Sequence, residues 1–155
     1  MKPQSARQAR SETKQIGWRE WIGLPDLGIS AIKAKIDTGA RTSALHAFKL
    51  QPFERDGVRW ISFQVLHSGT QRTERCEAII VDEREIKNTS GISSRRYVVA
   101  TTLVLGHRRW HIELSLADRE KMEFDVILGR TAIRRHGLLV DPGRSFLVGP
   151  PTAHP

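Results

Sequence analysis

The chain has 155 residues, 39% of them hydrophobic and 27% charged, with a formal net charge of +8 and a pI near 10.4. That length suits one domain with a real core, no apolar run is long enough to cross a bilayer as a helix, and the single cysteine, Cys76, excludes an internal disulfide and fits a reducing compartment. Arginines outnumber lysines more than two to one, a bias that suits carboxylate or phosphate; nucleic acid, a ribosome or an acidic peptide would each fit the charge, which does not choose among them.

Residues 1–15 read as a disordered basic arm carrying Lys2, Arg7, Arg10 and Lys14. They hold no apolar h-region, so no secretory signal is expected and the cytoplasm is the expected location. Residues 16–150 read as one domain and 151–155 as a loose tail. Ile16–Leu24 predicts a first strand, Pro25 to Gly28 a turn, and Ile29–Ile36 a second strand that ends on Asp37. Ala44–Phe53 predicts a third strand, Arg55-Asp56-Gly57 a hairpin turn, and Val58–Leu66 a half-buried strand followed by a turn at His67 to Thr70. Cys76–Val81 is strand-like, and 82–94 is polar and rich in turn formers. Val98–Leu105 and Trp110–Leu116 predict two strands around Gly106-His107, and 117–123 a charged loop or a single helical turn. Val126–Leu128 predicts a short buried strand, Arg130–His136 a short helix stopped by Gly137, and Leu138–Val140 with Phe146–Val148 a final hairpin around Asp141-Pro142-Gly143. About ten short strands and one short helix predict an all-β barrel or sandwich.

The chemistry-bearing stretch is Asp37-Thr38-Gly39-Ala40-Arg41-Thr42-Ser43. A carboxylate at the end of a rigid strand, a hydroxyl that can brace a turn and a glycine that lets backbone approach closely form an arrangement suited to acid–base work. On its own the tripeptide also reads as an ordinary strand-end turn. A second stretch, Val126-Ile127-Leu128-Gly129-Arg130-Thr131, strengthens the first.

With both motifs in view the chain resembles the retropepsin-like aspartic peptidases. Arg95-Arg96-Tyr97, the two β runs around Gly106-His107, then Leu128-Gly129-Arg130 and a short helix follow the order of the second half of a viral retropepsin. Asp37-Thr38-Gly39-Ala40, Ser115-Leu116-Ala117-Asp118-Arg119 with Met122, and Leu128-Gly129-Arg130 are closer to the bacterial RimB-type family, commonly labelled "ATP-dependent zinc proteases" and found beside RimK-type glutamate ligases of ribosomal proteins.

The resemblance, over about residues 16–148, implies a closed retropepsin-like barrel with one short helix, a flap hairpin and an extra hairpin insertion over 51–76. It implies Asp37 as the catalytic aspartate, Thr38 as a brace across a dimer, Gly39 as the turn, and residues 82–97 as a flap with Gly91 near its tip. Viral retropepsins carry an Asp where this chain has Arg41, so Arg130 needs another partner, for which Asp118 is the candidate.

Only one Asp-Thr-Gly is present, whereas aspartic peptidases use two carboxylates sharing a proton. A homodimer with Asp37 facing Asp37 is therefore expected. Arg41, Arg95, Arg96 and Arg130 are expected to border the cleft and to favour acidic, oligoglutamate-like substrates such as a glutamylated ribosomal protein. A RimK-type ligase is a further candidate partner; no membrane contact is expected, and direct nucleic-acid binding is allowed by the charge without being expected. No cofactor is expected: His-Glu-x-x-His and a phosphate-binding Gly-Lys-Ser/Thr loop are both missing, and the six histidines are scattered. His107 and His111 read as turn or surface residues, Cys76 as core, and the four tryptophans as packing residues. The competing function class is a non-catalytic basic β-barrel that binds ribosomal RNA or an acidic protein tail.

Overall fold

Eleven strands, a 3-10 turn at Pro25–Leu27 and one α-helical turn make up the described residues of the computed structural model, which are 14–67, 72–87, 90–118 and 123–152. The strands are β1 (Lys14–Gly17), β2 (Arg19–Leu24), β3 (Ile29–Asp37), β4 (Ser43–His46), β5 (Phe48–Arg55), β6 (Val58–His67), β7 (Arg72–Lys87), β8 (Ser93–Leu105), β9 (Arg108–Ala117), β10 (Val126–Gly129) and β11 (Leu138–Asp141); α1 is Arg130–Ile133. The protein is all-β, as the strand count predicts. Ser68 to Thr70 of the expected turn, most of the basic arm, and Arg119 and Met122 of the resemblance lie outside the described residues, while His67 ends β6.

Nine strands form one sheet in the order β2-β3-β10-β4-β9-β8-β7-β6-β5, and β2 also pairs with β8. That extra pairing joins β2, β3, β10, β4, β9 and β8 into a closed ring. Closure occurs where Gly23 meets Val104. A Cβ on Gly23 would lie 3.1 Å from the Ser30 carbonyl and 3.4 Å from the side chains of Val104 and Pro151. A residue without a side chain therefore lets the two edges meet. Alternation sends Ile32, Ala34, Ile36, Leu45, Ile112, Leu114, Leu116, Val126 and Leu128 into the core. Beyond β8 the sheet continues outward as β7, β6 and β5, so the predicted extra hairpin is a meander whose inner face carries Ile61, Phe63, Val65, Cys76 and Ala78.

Cys76 is buried, its thiol donates to the Leu27 carbonyl at 3.4 Å, and burial pushes its pKa up to about 12, with the Glu74 charge adding to the rise. It is a core residue, not a nucleophile.

Four predicted elements differ from what forms. The first strand breaks at Trp18, whose N–H donates to the Arg144 carbonyl and whose carbonyl accepts from Ile36; β1 then pairs in parallel with β11 while β2 pairs with β3. The third strand breaks at the buried Ala47, which donates to the Ala117 carbonyl, so β4 stays in the ring and β5 leaves it. The helix is shorter than 130–136 because the Trp110 indole takes the Ala132 carbonyl at 2.9 Å and Arg135 turns left-handed at φ 72°.

The final hairpin does not form. Leu138–Asp141 is a strand, but residues 146–148 pair with no strand. The Leu147 and Val148 N–H groups instead donate to the Glu20 carboxylate at 2.8 and 3.4 Å, and Gly17 N–H donates to it at 2.6 Å. Glu20 is fully buried, so this one carboxylate satisfies three backbone donors that no strand reaches.

Replacing Glu20 by Ala strands those three donors. Unpaired buried polar groups cost about 1–3 kcal/mol each; chemical denaturation of Glu20→Ala is expected to show a loss of roughly 3–5 kcal/mol, with the 144–152 segment released first in hydrogen exchange.

Candidate functional site

Strand β10 lies between β3 and β4, which are consecutive in the chain. It pairs in parallel with β3, Leu128 opposite Ile36 and Gly129 opposite Asp37, and antiparallel with β4. The loop from Asp37 to Thr42 must therefore cross over the end of β10. Gly129 is where it crosses. A Cβ there would lie 2.8 Å from the Ala40 carbonyl oxygen and 2.9 to 3.0 Å from the carbonyl carbons of Thr42 and Arg41, all backbone atoms.

Hydrogen bonds then fasten the loop. Arg130 N–H donates to the Ala40 carbonyl at 2.8 Å, and the Thr131 hydroxyl to the Arg41 carbonyl at 2.7 Å. The Arg130 guanidinium donates to the Gly39 carbonyl at 3.2 Å. Beneath the loop, Gly129 N–H donates to the Ser43 hydroxyl and the Ser115 hydroxyl to the Ser43 carbonyl, both at 2.9 Å. Ser43 and Ser115 are buried. Arg130 and Thr131 thus hold the turn by its backbone carbonyls, above the buried hydroxyls of Ser43 and Ser115.

Asp37 sits at the head of this turn, half-buried, with Thr38 and Gly39 exposed beside it. Its Oδ1 accepts from Gly39 N–H at 3.1 Å, and its main-chain carbonyl accepts from Ala40 N–H at 3.1 Å. The other carboxylate oxygen accepts no hydrogen bond from the described residues. The expected partnership of Arg130 with Asp118 does not form: the guanidinium is spent on Gly39, directly above the start of α1, while Asp118 lies exposed past the end of β9.

Of the residues singled out from the sequence, Asp37, Thr38, Gly39, Arg41 and Arg130 come together. Arg95 and Arg96 belong to β8 and Gly91 to the turn before it, on the β7–β8 hairpin. The polar stretch 82–87 continues β7 and pairs with 93–98, Lys87 opposite Ser93. Gly91, at φ 82°, lies in the turn. Arg84 bonds Asp82 at 2.6 Å and Glu113 at 2.7 Å, and Glu83 takes Arg59 at 3.0 Å and Arg95 at 3.1 Å. Arg95 is thus already paired with a carboxylate, whereas Arg41 and Arg130 form no ion pair among the described residues.

Sequence reasoning missed Ser43, Ser115 and Thr131. The available signal was a small hydroxyl residue inside a strongly apolar strand, a position that asks for a buried partner. His107 and His111 do not act together: His107 Nδ1 lies 2.7 Å from the Thr152 hydroxyl in the β8–β9 turn, and His111 Nδ1 lies 3.4 Å from Thr102 on the strand ladder. No group of three or more His, Cys, Asp or Glu able to hold a metal occurs among the described residues. No helix among them is long and apolar enough to cross a membrane.

A family model described as RimB-like, retropepsin-like aspartic endopeptidase RimB, matches residues 15–151. Among curated proteins, a probable alpha-L-glutamate ligase of Shewanella pealeana is 43% identical over 136 residues, which is 86% of this chain and 30% of that protein. One of Parasynechococcus marenigrum, with the same description, is 46% identical over 136 residues, 86% of this chain and 29% of that protein. The chain therefore spans about 30% of the length of the curated relatives it matches. The crystal structure of a Legionella pneumophila protein described as of unknown function superposes with a TM-score of 0.76 at 28% identity, covering 89% of this chain and 99% of that one.

Two measurements check this geometry. Gly129→Ala pushes a methyl group into backbone that cannot yield; a loss of about 1–3 kcal/mol is expected in thermal melts, with displacement of the Asp37 loop visible as shifted amide resonances at 37–42. On the hairpin, the hydrogen bond from Arg84, then that from Glu83 N–H, holds the Asp82 carboxyl below its ordinary range. Arg59 and then Arg95 do the same for Glu83. A depressed carboxyl stabilises the fold above its unfolded pKa and loses that contribution as pH falls through the folded value. Carbon-detected titration should give midpoints for both below those of ordinary carboxylates, and Arg59→Ala should move the Glu83 midpoint up.

Proposed function

Because the chain belongs to the RimB-like family of retropepsin-like aspartic endopeptidases, we propose that it hydrolyses peptide bonds with Asp37 as its catalytic carboxylate. The observation that carries this reading is the Asp37 turn, a half-buried carboxylate at a strand end whose loop carbonyls are bonded by Arg130 and Thr131 over the buried Ser43 and Ser115 hydroxyls. Such rigidity is what acid–base chemistry on a substrate asks of its side chains.

One chain supplies one such carboxylate, and the reaction uses two. In the proposed enzyme two copies meet about a two-fold axis at their Asp37 turns, with the exposed Thr38 and Gly39 on either side. Like charges so close cannot both ionise, so the pair holds one proton. The ionised member takes a proton from water as it attacks the amide carbon, and the protonated member polarises the carbonyl. No cofactor enters these steps.

The proposed substrate is an acidic, oligoglutamate-like tail of a cytoplasmic protein, such as a glutamylated ribosomal protein. Two observations support it. The curated relatives bear the name of a glutamate ligase, and a glutamate ligase and an acid-selective peptidase would work on the same bond in opposite directions. Arg41 and Arg130 also leave positive charge at the Asp37 turn without an ion-pair partner among the described residues. A glutamate ligase acting on the same tail is the corresponding proposed partner.

The test is Asp37→Asn. It should lower turnover of a glutamate-rich peptide by about 10²–10⁴-fold or more while leaving peptide affinity within a few-fold. A basic binding module without catalysis would show no wild-type turnover to lose. Wild type should sediment as a dimer under assay conditions and should cleave the glutamate-rich peptide faster than a neutral one, with the advantage shrinking as salt rises. Equal rates on the two peptides, indifferent to salt, would remove the acidic-substrate reading.

A further inference from the structure

The strand that delivers Asp37 also delivers a lysine on the same side. In β3, Ile32, Ala34 and Ile36 are buried, while Lys33, Lys35 and Asp37 alternate with them as half-buried residues. Period-two geometry therefore puts Lys35 next to Asp37 on the side away from the core, roughly 6.6 Å along the strand. Pairing extends this side into a row. Lys35 stands opposite Arg19 of β2 and opposite Ile127 of β10, and Lys33 stands opposite Trp21. The next row along β3 and β10 is Asp37 and Gly129.

This side carries three cations, and none of them forms an ion pair among the described residues. Two have other company. The Arg19 guanidinium lies 4.7 Å from the Trp18 ring centroid and 5.1 Å from that of Phe146, and donates to the Ser145 hydroxyl. The Lys33 ammonium lies 5.9 Å from the Trp21 ring and 5.8 Å from that of Phe124. These contacts hold both side chains over aromatic faces. Lys35 makes no ion pair, hydrogen bond or ring contact with the described residues. It is a half-buried ammonium adjacent to the proposed catalytic carboxylate, with apolar Ile127 at its flank.

We propose that Lys35 is a specificity-determining residue of this enzyme: its ammonium receives the carboxylate of a glutamate or aspartate side chain next to the scissile bond, with Arg19 and Lys33 extending the acid-binding track along β2 and β3. This assignment rests on the peptidase reading above and names the residues that select its substrate. A cation that is partly desolvated and lacks a counter-charge gains most from a ligand that brings one. An acidic side chain whose backbone lies across the Asp37 turn would reach the adjacent row of the same sheet face.

The experiment measures binding apart from turnover. Affinity for a fluorescent pentaglutamate peptide is compared between Asp37→Asn and the double variant Asp37→Asn with Lys35→Gln, beside Asp37→Asn with Lys49→Gln as a charge-matched control on β5. Turnover is then measured for wild type and Lys35→Gln on glutamate-rich and neutral peptides, with melting curves for each protein. The expected result is a loss of about tenfold or more in affinity from Lys35→Gln and little from Lys49→Gln. In turnover, KM for the acidic peptide should rise and cleavage of the neutral peptide should stay unchanged. A folded Lys35→Gln protein that binds and cleaves the acidic peptide like wild type overturns the assignment. Wild type that binds the acidic peptide through Lys35 yet never cleaves it would overturn the peptidase reading and leave this acid-binding site standing.

Discussion

The structure depends on one crossing: the Asp37–Thr42 loop passes over the end of β10 at a point where a single methyl group would not fit. β10 is inserted between two strands that follow each other in sequence, so the loop joining them has no route except over its end. Gly129 makes that route open, and its N–H donates to Ser43 just below. The consequence is a carboxylate whose position is set by hydrogen bonds that Arg130 and Thr131 donate to the carbonyls of its turn, with a single contact of its own, from Gly39 N–H. Side chains can hop between rotamers; a turn fastened at Ala40, Arg41 and Gly39 from beneath cannot drift without breaking several bonds at once. This also explains why Asp37 can be half-open to solvent and still be rigid.

The second point of dependence is the buried carboxylate of Glu20. It does for the C-terminal segment what a neighbouring strand would do, taking donors from Gly17, Leu147 and Val148. The same segment packs Phe146 near Trp21 and Arg19, which sets the flank of the β2–β3 face. A charged group in the core is therefore structural here, because each of the three groups that satisfy it is a backbone donor that would otherwise be stranded.

Much of this was legible in the residues. Alternation located nearly every strand of the ring, and the pairing of Asp37-Thr38-Gly39 with Leu128-Gly129-Arg130 identified the two segments that meet. What escaped has identifiable causes. Glu20 gives no sign of its buried role in the local sequence because two of its three donors, Leu147 and Val148, come from the far end of the domain. Apolar composition suggests a strand over 146–148, yet the N–H groups there go to the Arg19 carbonyl and the Glu20 carboxylate instead of to β11. The stretch 82–87 reads as loop because this hairpin arm has no apolar face to show; ion pairs within β7 and from β7 to β8 and β9 replace it. Proximity to the motifs points to Arg41, Arg95, Arg96 and Arg130 as the cations of the site. Lys35, two residues before Asp37, went unremarked although strand periodicity alone puts both on one side.

The distinction between these cations follows from their surroundings. Arg95 already shares Glu83 with Arg59, so a substrate carboxylate approaching it must compete with an existing partner in high dielectric, where exposed pairs contribute about 0–1 kcal/mol. Lys35 has no such partner and is half withdrawn from water. Coulomb attraction at 4 Å rises from about 1 kcal/mol in bulk water to about 4 kcal/mol at an effective dielectric of 20, and no prior pair must be broken. In the proposed enzyme an arginine-rich surface would supply long-range attraction of an acidic tail, while discrimination between an acidic and a neutral side chain at the scissile bond would fall to the least conspicuous cation, Lys35, on the same strand as Asp37.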